Sequence, residues 1–98
     1  MFARVSTIQG KPQQVEDGIR QYREQVMLAV KKMAGFKGAY FLVDRKSGKE
    51  LSITLWDTEK NMQASTKAAD QLRAQASQTV AASKPPTFEI YEVNVQQW

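Results

Sequence analysis

Four side chains carry most of what this sequence can offer a small ligand: Arg4, Tyr22, Trp56 and Met62. Trp56 ends the alternating run Leu51-Ser52-Ile53-Thr54-Leu55 and precedes Asp57-Thr58-Glu59. Its indole gives a flat molecule a face to stack on, and one N–H donor. Core packing at a strand–helix junction uses the same residue type. Tyr22 lies on the inward stripe of a predicted helix, where its hydroxyl is better placed than those of Tyr40 or Tyr91 to hydrogen-bond a ligand. Arg4 alternates with Val5 on a predicted central strand. A buried guanidinium needs a carboxylate partner, for which Glu89 or Glu92 is expected, or else an anionic ligand. Met62 completes the candidate binding set, and with Met27 and Met33 it reads as polarizable filler rather than a metal ligand. The catalytic candidates are Trp56 and Tyr22. Asp57 and Glu59 could pair for acid–base work, but capping of the following helix accounts for both.

The 98 residues contain no cysteine and no histidine. Disulfides, thiolate nucleophiles, histidine bases, Ser-His-Asp triads and histidine-held zinc or haem are excluded. Chemistry here falls to carboxylates, lysine, arginine, tyrosine and tryptophan, and no cofactor or metal is expected. A net charge of +4 is spread along the chain, and the basic groups Lys31-Lys32 and Arg45-Lys46-Lys49 are accounted for by a helix end and a turn. No apolar run has the length of a membrane span and no signal peptide is visible, so cytoplasmic residence without a membrane partner is expected.

The elements that must position these residues follow from periodicity. Phe2 to Gln9 alternates as a first strand, and Gly10-Lys11-Pro12 breaks it. From Gln13 to Met33, Val15, Ile19, Tyr22, Val26, Val30 and Met33 form one helical stripe. Gly18 interrupts this helix and suggests close approach of a neighbouring backbone. Gly35 closes it. Ala39 to Arg45 is a second strand, Lys46-Ser47-Gly48-Lys49 a hairpin turn, and Glu50 to Trp56 a third strand. A second helix is expected from Thr58 to Ala82, with Met62, Ala69, Leu72, Ala76 and Val80 inward. Phe88 to Val95 supplies the fourth strand.

The order β-α-β-β-α-β makes one α+β domain over residues 1–98. It is a ferredoxin-like fold with a four-stranded antiparallel sheet, strands one and three central and both helices on one face. Two helices cover one face only. Yet the second and fourth strands are apolar at both parities: Tyr40 and Leu42 against Phe41 and Val43, Phe88 and Ile90 against Tyr91 and Val93. The uncovered face is then a large apolar patch, and the expected cover is a second copy packed sheet to sheet as a homodimer.

The helix exit Gly35-Phe36-Lys37-Gly38-Ala39-Tyr40, the hairpin, and Ile53-Thr54-Leu55-Trp56-Asp57-Thr58-Glu59 before an alanine-rich helix resemble the antibiotic-biosynthesis-monooxygenase (ABM) domains of the dimeric α/β-barrel superfamily. The resemblance covers the chain in element order. It implies two sheets facing each other as a barrel, with a pocket in each subunit between sheet and helices. It also implies a cofactor-independent monooxygenase, acting on a small aromatic or quinol-type molecule beside Trp56. Of the residues assigned roles in active members, only the tryptophan has a counterpart. The first strand holds Arg4, Val5, Ser6 and Thr7 where those members have an asparagine, and the second helix has no histidine. The alternative expectation is a non-catalytic dimeric domain that binds a small molecule or is purely structural. Nucleic acid is not an expected partner: the third strand, Lys49 to Trp56, lacks the glycine and alternating aromatics by which this topology stacks on RNA.

Overall fold

Alternation over Phe2–Gln9 produces β1, and the computed structural model, which describes residues 1–98, places it at the centre of a four-stranded antiparallel sheet. The other strands are β2 (Phe36–Val43), β3 (Lys49–Trp56) and β4 (Thr87–Glu92), in spatial order β2-β3-β1-β4. This is the expected ferredoxin-like arrangement, with β1 and β3 central. β2 starts and ends earlier than expected. A register shift between Phe36 and Gly38 carries pairing with β3 into the glycine turn. β4 stops at Glu92 rather than Val95.

The first helix, α1, spans residues 15–30. It runs as α-helical Val15–Gln21, a π-helical turn Tyr22–Val26 and a last α-helical turn Met27–Val30. It ends before the expected Met33, and residues 31–35 turn back to the sheet. Tyr22, Val26 and Val30 are buried against Phe36, Phe41 and Leu72, as the stripe predicts. Gly35 adopts φ +82°, and a Cβ there would meet the Asn61 Cβ at 2.7 Å. Glycine is therefore required where the helix exit crosses the start of the second helical segment.

That segment is two helices, not one: α2 (Glu59–Ala64) and α3 (Thr66–Thr79). Thr58 caps α2, accepting the Asn61 backbone N–H at 3.1 Å. Asp57 accepts from the Asn61 side chain at 2.9 Å, which holds its carboxyl below the usual range. The break falls at Ser65. There the Met62 carbonyl accepts the Ser65 N–H (3.1 Å), the Ser65 hydroxyl (2.6 Å) and the Arg4 guanidinium (2.8 Å). A cation reaching in from the sheet takes over the backbone acceptor that would continue the helix.

The helices cover one face of the sheet, and on the two central strands it is the more polar one. On β1 and β3 the residues under the helices are Arg4, Ser6 and Ile8 with Glu50, Ser52, Thr54 and Trp56. Val5, Leu51, Ile53 and Leu55 point to the uncovered face, beside Tyr40 and Leu42 of β2 and Tyr91 of β4. Tyr40, Leu42 and Tyr91 are each more than 40% exposed.

Candidate functional site

A cavity of about 50 Å³ lies between the polar sheet face and the helices. Its floor is Arg4, Ser6, Glu50, Ser52, Thr54 and Trp56, and its roof includes Tyr22, Val26, Leu72 and Arg73. Polar side chains occur here because strand alternation sends every second residue of β1 and β3 inward, and those positions hold Arg, Ser, Glu and Thr.

At one end stand two buried arginines, Arg4 at 2% exposure and Arg73 at 7%. Arg4 donates to the Ser65 hydroxyl (3.0 Å), the Met62 carbonyl (2.8 Å) and the Thr66 hydroxyl (3.2 Å), while its Nε has no partner. Neither Glu89 nor Glu92 is its counter-ion, contrary to the expectation from sequence. Glu89 lies opposite Val5 on the uncovered face, where its carboxylate accepts from Tyr91 at 2.8 Å, and Glu92 lies opposite Phe2. Arg4 also lies 5.9 Å from the Trp56 ring centre. Burial, and next the adjoining Arg73 charge, lower the pKa of its guanidinium, which nevertheless keeps its proton at neutral pH. Arg73 donates to the Ser6 hydroxyl at 3.2 Å, pairs with Asp70, and stacks over the Phe88 ring at 4.3 Å.

Trp56 is 1% exposed. Its indole N–H donates to the Thr54 hydroxyl at 2.9 Å, and its ring meets Phe36 edge-on at 5.8 Å. Tyr22 shares a 2.8 Å hydrogen bond with the Ser52 hydroxyl and stacks on Phe41 with centroids 4.4 Å apart. Burial raises the pKa of its phenol, and the Ser52 hydrogen bond partly offsets this. The π-helical turn begins at Tyr22, and such turns recur at functional sites.

At the other end is Glu50, 1% exposed, with an Oε2 that has no hydrogen-bond partner. Burial alone pushes its carboxyl up to about 7. The carboxyl sits against Gly18: a Cβ there would lie 2.8 Å from Oε2 and 2.8 Å from Val80 Cγ1. The close approach expected at Gly18 is thus to side chains, not to a backbone.

Arg4, Tyr22 and Trp56 therefore line one cavity. Met62 is fully buried but does not line it, and acts through its carbonyl. Sequence reasoning missed Glu50 and Arg73. Both carried a signal. Glu50 shares the parity of Trp56 on β3. Arg73 follows Ala69 by four residues and precedes Ala76 by three, which is the inward stripe of α3.

No family model matches the chain. Among curated proteins, the uncharacterized protein Rv2558 of Mycobacterium tuberculosis is 35% identical over 83 residues, covering 85% of this chain and 35% of the relative. The uncharacterized protein Rv2557 of the same organism is 31% identical over 93 residues, covering 95% of this chain and 41% of the relative. The chain thus spans little more than a third of these relatives. The solved structures are similar along their whole length. The ActVA-Orf6 monooxygenase of Streptomyces coelicolor, in complex with nanaomycin D, superposes with TM-score 0.77 at 18% identity, covering 99% of this chain and 90% of the other. The haem degrader MhuD of M. tuberculosis, holding two haems, gives TM-score 0.77 at 16% identity with 100% of both chains covered. A further antibiotic biosynthesis monooxygenase gives 0.68 at 14% identity, over 97% and 100% of the two chains. Haem held by histidine or cysteine does not fit the residues present here. The chain has no histidine or cysteine, and a cavity of about 50 Å³ is far too small for the macrocycle.

Proposed function

We propose that this chain, which has the fold of the ABM domains, is a cofactor-independent monooxygenase with its active site in the cavity beside Trp56. The observation that carries this reading is a cavity with aromatic walls that is also lined by Arg4 and Glu50, each of which keeps a buried polar atom, Nε and Oε2, without a partner in the protein. Buried polar groups are normally satisfied, and a pocket with a few convergent ones is the usual form of a small-molecule site.

The substrate class is a small phenol or quinol. For a phenol with a free ring C–H, one O₂ yields a quinone and one water. One oxygen atom enters the ring, the other leaves as water with the C–H and O–H hydrogens, and the aromatic supplies all four electrons. Trp56 and Phe41 bound the ring, Tyr22 and Ser52 offer hydroxyls to its oxygen, and Arg4 offers positive charge to a developing phenolate. The chain works as a homodimer closed over the uncovered face, where Tyr40, Leu42, Leu51, Ile53 and Tyr91 form the apolar patch.

Oxygen uptake with a panel of electron-rich phenols tests the activity. Turnover is expected, with Trp56→Phe and Tyr22→Phe each lowering it. A panel that gives no uptake ends the enzymatic reading. The size of the cavity favours one alternative, a non-catalytic dimeric domain. Ligand pockets usually run to about 300–1,000 Å³, and side chains here fill most of the space between sheet and helices.

A further inference from the structure

The two ends of the cavity differ in charge, and neither is neutralised by the protein. At one end Arg4 and Arg73 are both at least nine-tenths buried, and the Arg4 Nε is unpartnered. Their one carboxylate neighbour is Asp70, whose side chain is 58% exposed and pairs with Arg73 only. Two desolvated guanidiniums against one solvated carboxylate leave a positive excess, which a bound anion would balance. At the other end Glu50 sits four residues along β3 from Thr54, the residue paired with Arg4. That is about 13 Å between backbone rows at the usual strand rise. Glu50 forms no ion pair with either arginine; it lines the cavity, and its Oε2 is buried without a partner. Ile8, Gly18 and Val80 surround it with apolar groups, so nothing in the chain uses its hydrogen-bonding capacity. Between the ends, the walls are aromatic and aliphatic: Trp56, Tyr22, Phe41 and Leu72.

A water needs about 10–15 Å³ of such space. A cavity of about 50 Å³ therefore holds about three to five waters, so a single ring enters only as the lining side chains give way, and a polycycle does not enter.

We propose that the cavity selects a single-ring hydroxyaryl carboxylate, its carboxylate held by Arg4 and Arg73 and its hydroxyl hydrogen-bonded by Glu50. This rests on the cavity being the ligand site proposed above, and adds which molecules it takes. The Arg4 Nε is the donor left free for a carboxylate oxygen, and the adjoining Arg73 guanidinium adds positive charge beside it. Glu50 occupies the space left by the missing side chain of Gly18, which sets the far limit of the ligand.

Calorimetric titration under anaerobic conditions tests this without turnover, using 4-hydroxybenzoate, 4-hydroxybenzamide and benzoate as probes. The hydroxybenzoate should bind at least about tenfold more tightly than the amide, which lacks the charge, and than benzoate, which lacks the hydroxyl. Arg73→Leu should erase the first preference and keep the second, whereas Glu50→Leu should do the reverse. Arg73→Gln serves in place of Arg73→Leu if circular dichroism shows that variant unfolded. Equal affinity for the three probes, no binding to folded protein, or preferences that survive both substitutions would each overturn the assignment. Selective binding with no oxygen uptake once air is admitted sustains it and removes the oxygenase. Uptake with neutral phenols but no carboxylate preference does the opposite.

Discussion

On its two central strands, the two faces of one sheet carry opposite chemistry. Under the helices lie Arg4, Ser6, Glu50, Ser52 and Thr54; on the open side lie Val5, Leu51, Ile53, Leu42 and Tyr91. An ordinary two-layer domain does the reverse, with apolar residues under the helices and polar ones in water. The reversal has two consequences. The open face is stable in water only when something apolar covers it. The covered face carries charges whose burial costs stability unless hydrogen bonds or partners offset it. The proposed function assigns association to one face and ligand chemistry to the other, and substitutions on each should then fail in different ways.

The largest effect is expected on the open face. Ile53→Glu places a charge at the centre of the proposed interface, where desolvating an unpaired ion costs several kcal/mol. Light scattering should show the mass fall from dimer to monomer. A wild-type chain that is already monomeric at micromolar concentration contradicts the division.

On the covered face, Glu50 makes stability depend on pH. Its carboxyl is held at about 7 in the fold against an ordinary 4.5. Between those values the folded chain keeps a proton that the unfolded chain has released. This contribution is therefore fully present below the unfolded value and is lost as pH rises through about 7. The gap corresponds to about 3 kcal/mol at most. Glu50→Gln should flatten the urea-denaturation profile across that range and be the more stable protein at pH 8. A wild-type profile that rises over the same window would show Glu50 to be paired in solution.

Arg4→Leu comes next. It removes hydrogen bonds from a cation to Ser65, Thr66 and the Met62 carbonyl. A loss of about 2 kcal/mol in chemical denaturation is expected, with the dimer's mass unchanged. The smallest effect is at Gly18. Alanine favours the helix by about 1 kcal/mol. However, its Cβ would stand 2.8 Å from both Glu50 Oε2 and Val80 Cγ1. Overpacking of this kind costs about 1–3 kcal/mol, so Gly18→Ala should be destabilising by about 1 kcal/mol net. A gain in melting temperature would mean that Glu50 turns out of the cavity.

What the sequence disclosed follows the same two faces. The apolar alternation of Val5, Leu51, Ile53 and Leu55 fixes β1 at its observed bounds, β3 to within a residue, and the existence of an uncovered patch. It does not say which parity meets the helices, because periodicity defines two faces without naming their neighbours. For that reason Glu50 stayed hidden, and Arg4 drew a carboxylate partner from β4 that lies elsewhere. Arg73 was masked by its polarity on an alanine stripe, although its spacing is the stripe's own. The helix break at Ser65 was not legible, since it arises from a guanidinium arriving from a strand 61 residues away. Trp56 and Tyr22, placed by local pattern alone, are where periodicity puts them.

The central claim is that an aromatic ligand enters on the polar face beside Trp56. The chain has two tryptophans, and Trp98 is 87% exposed. In a Trp98→Phe protein, fluorescence therefore reports on Trp56 alone. Titration with 4-hydroxybenzoate should give a saturable change in that emission with the dimer's mass intact. The change should be lost when Ala69→Phe fills the cavity in a protein that remains folded. Emission that does not respond, or that responds only as the dimer dissociates, would contradict the account.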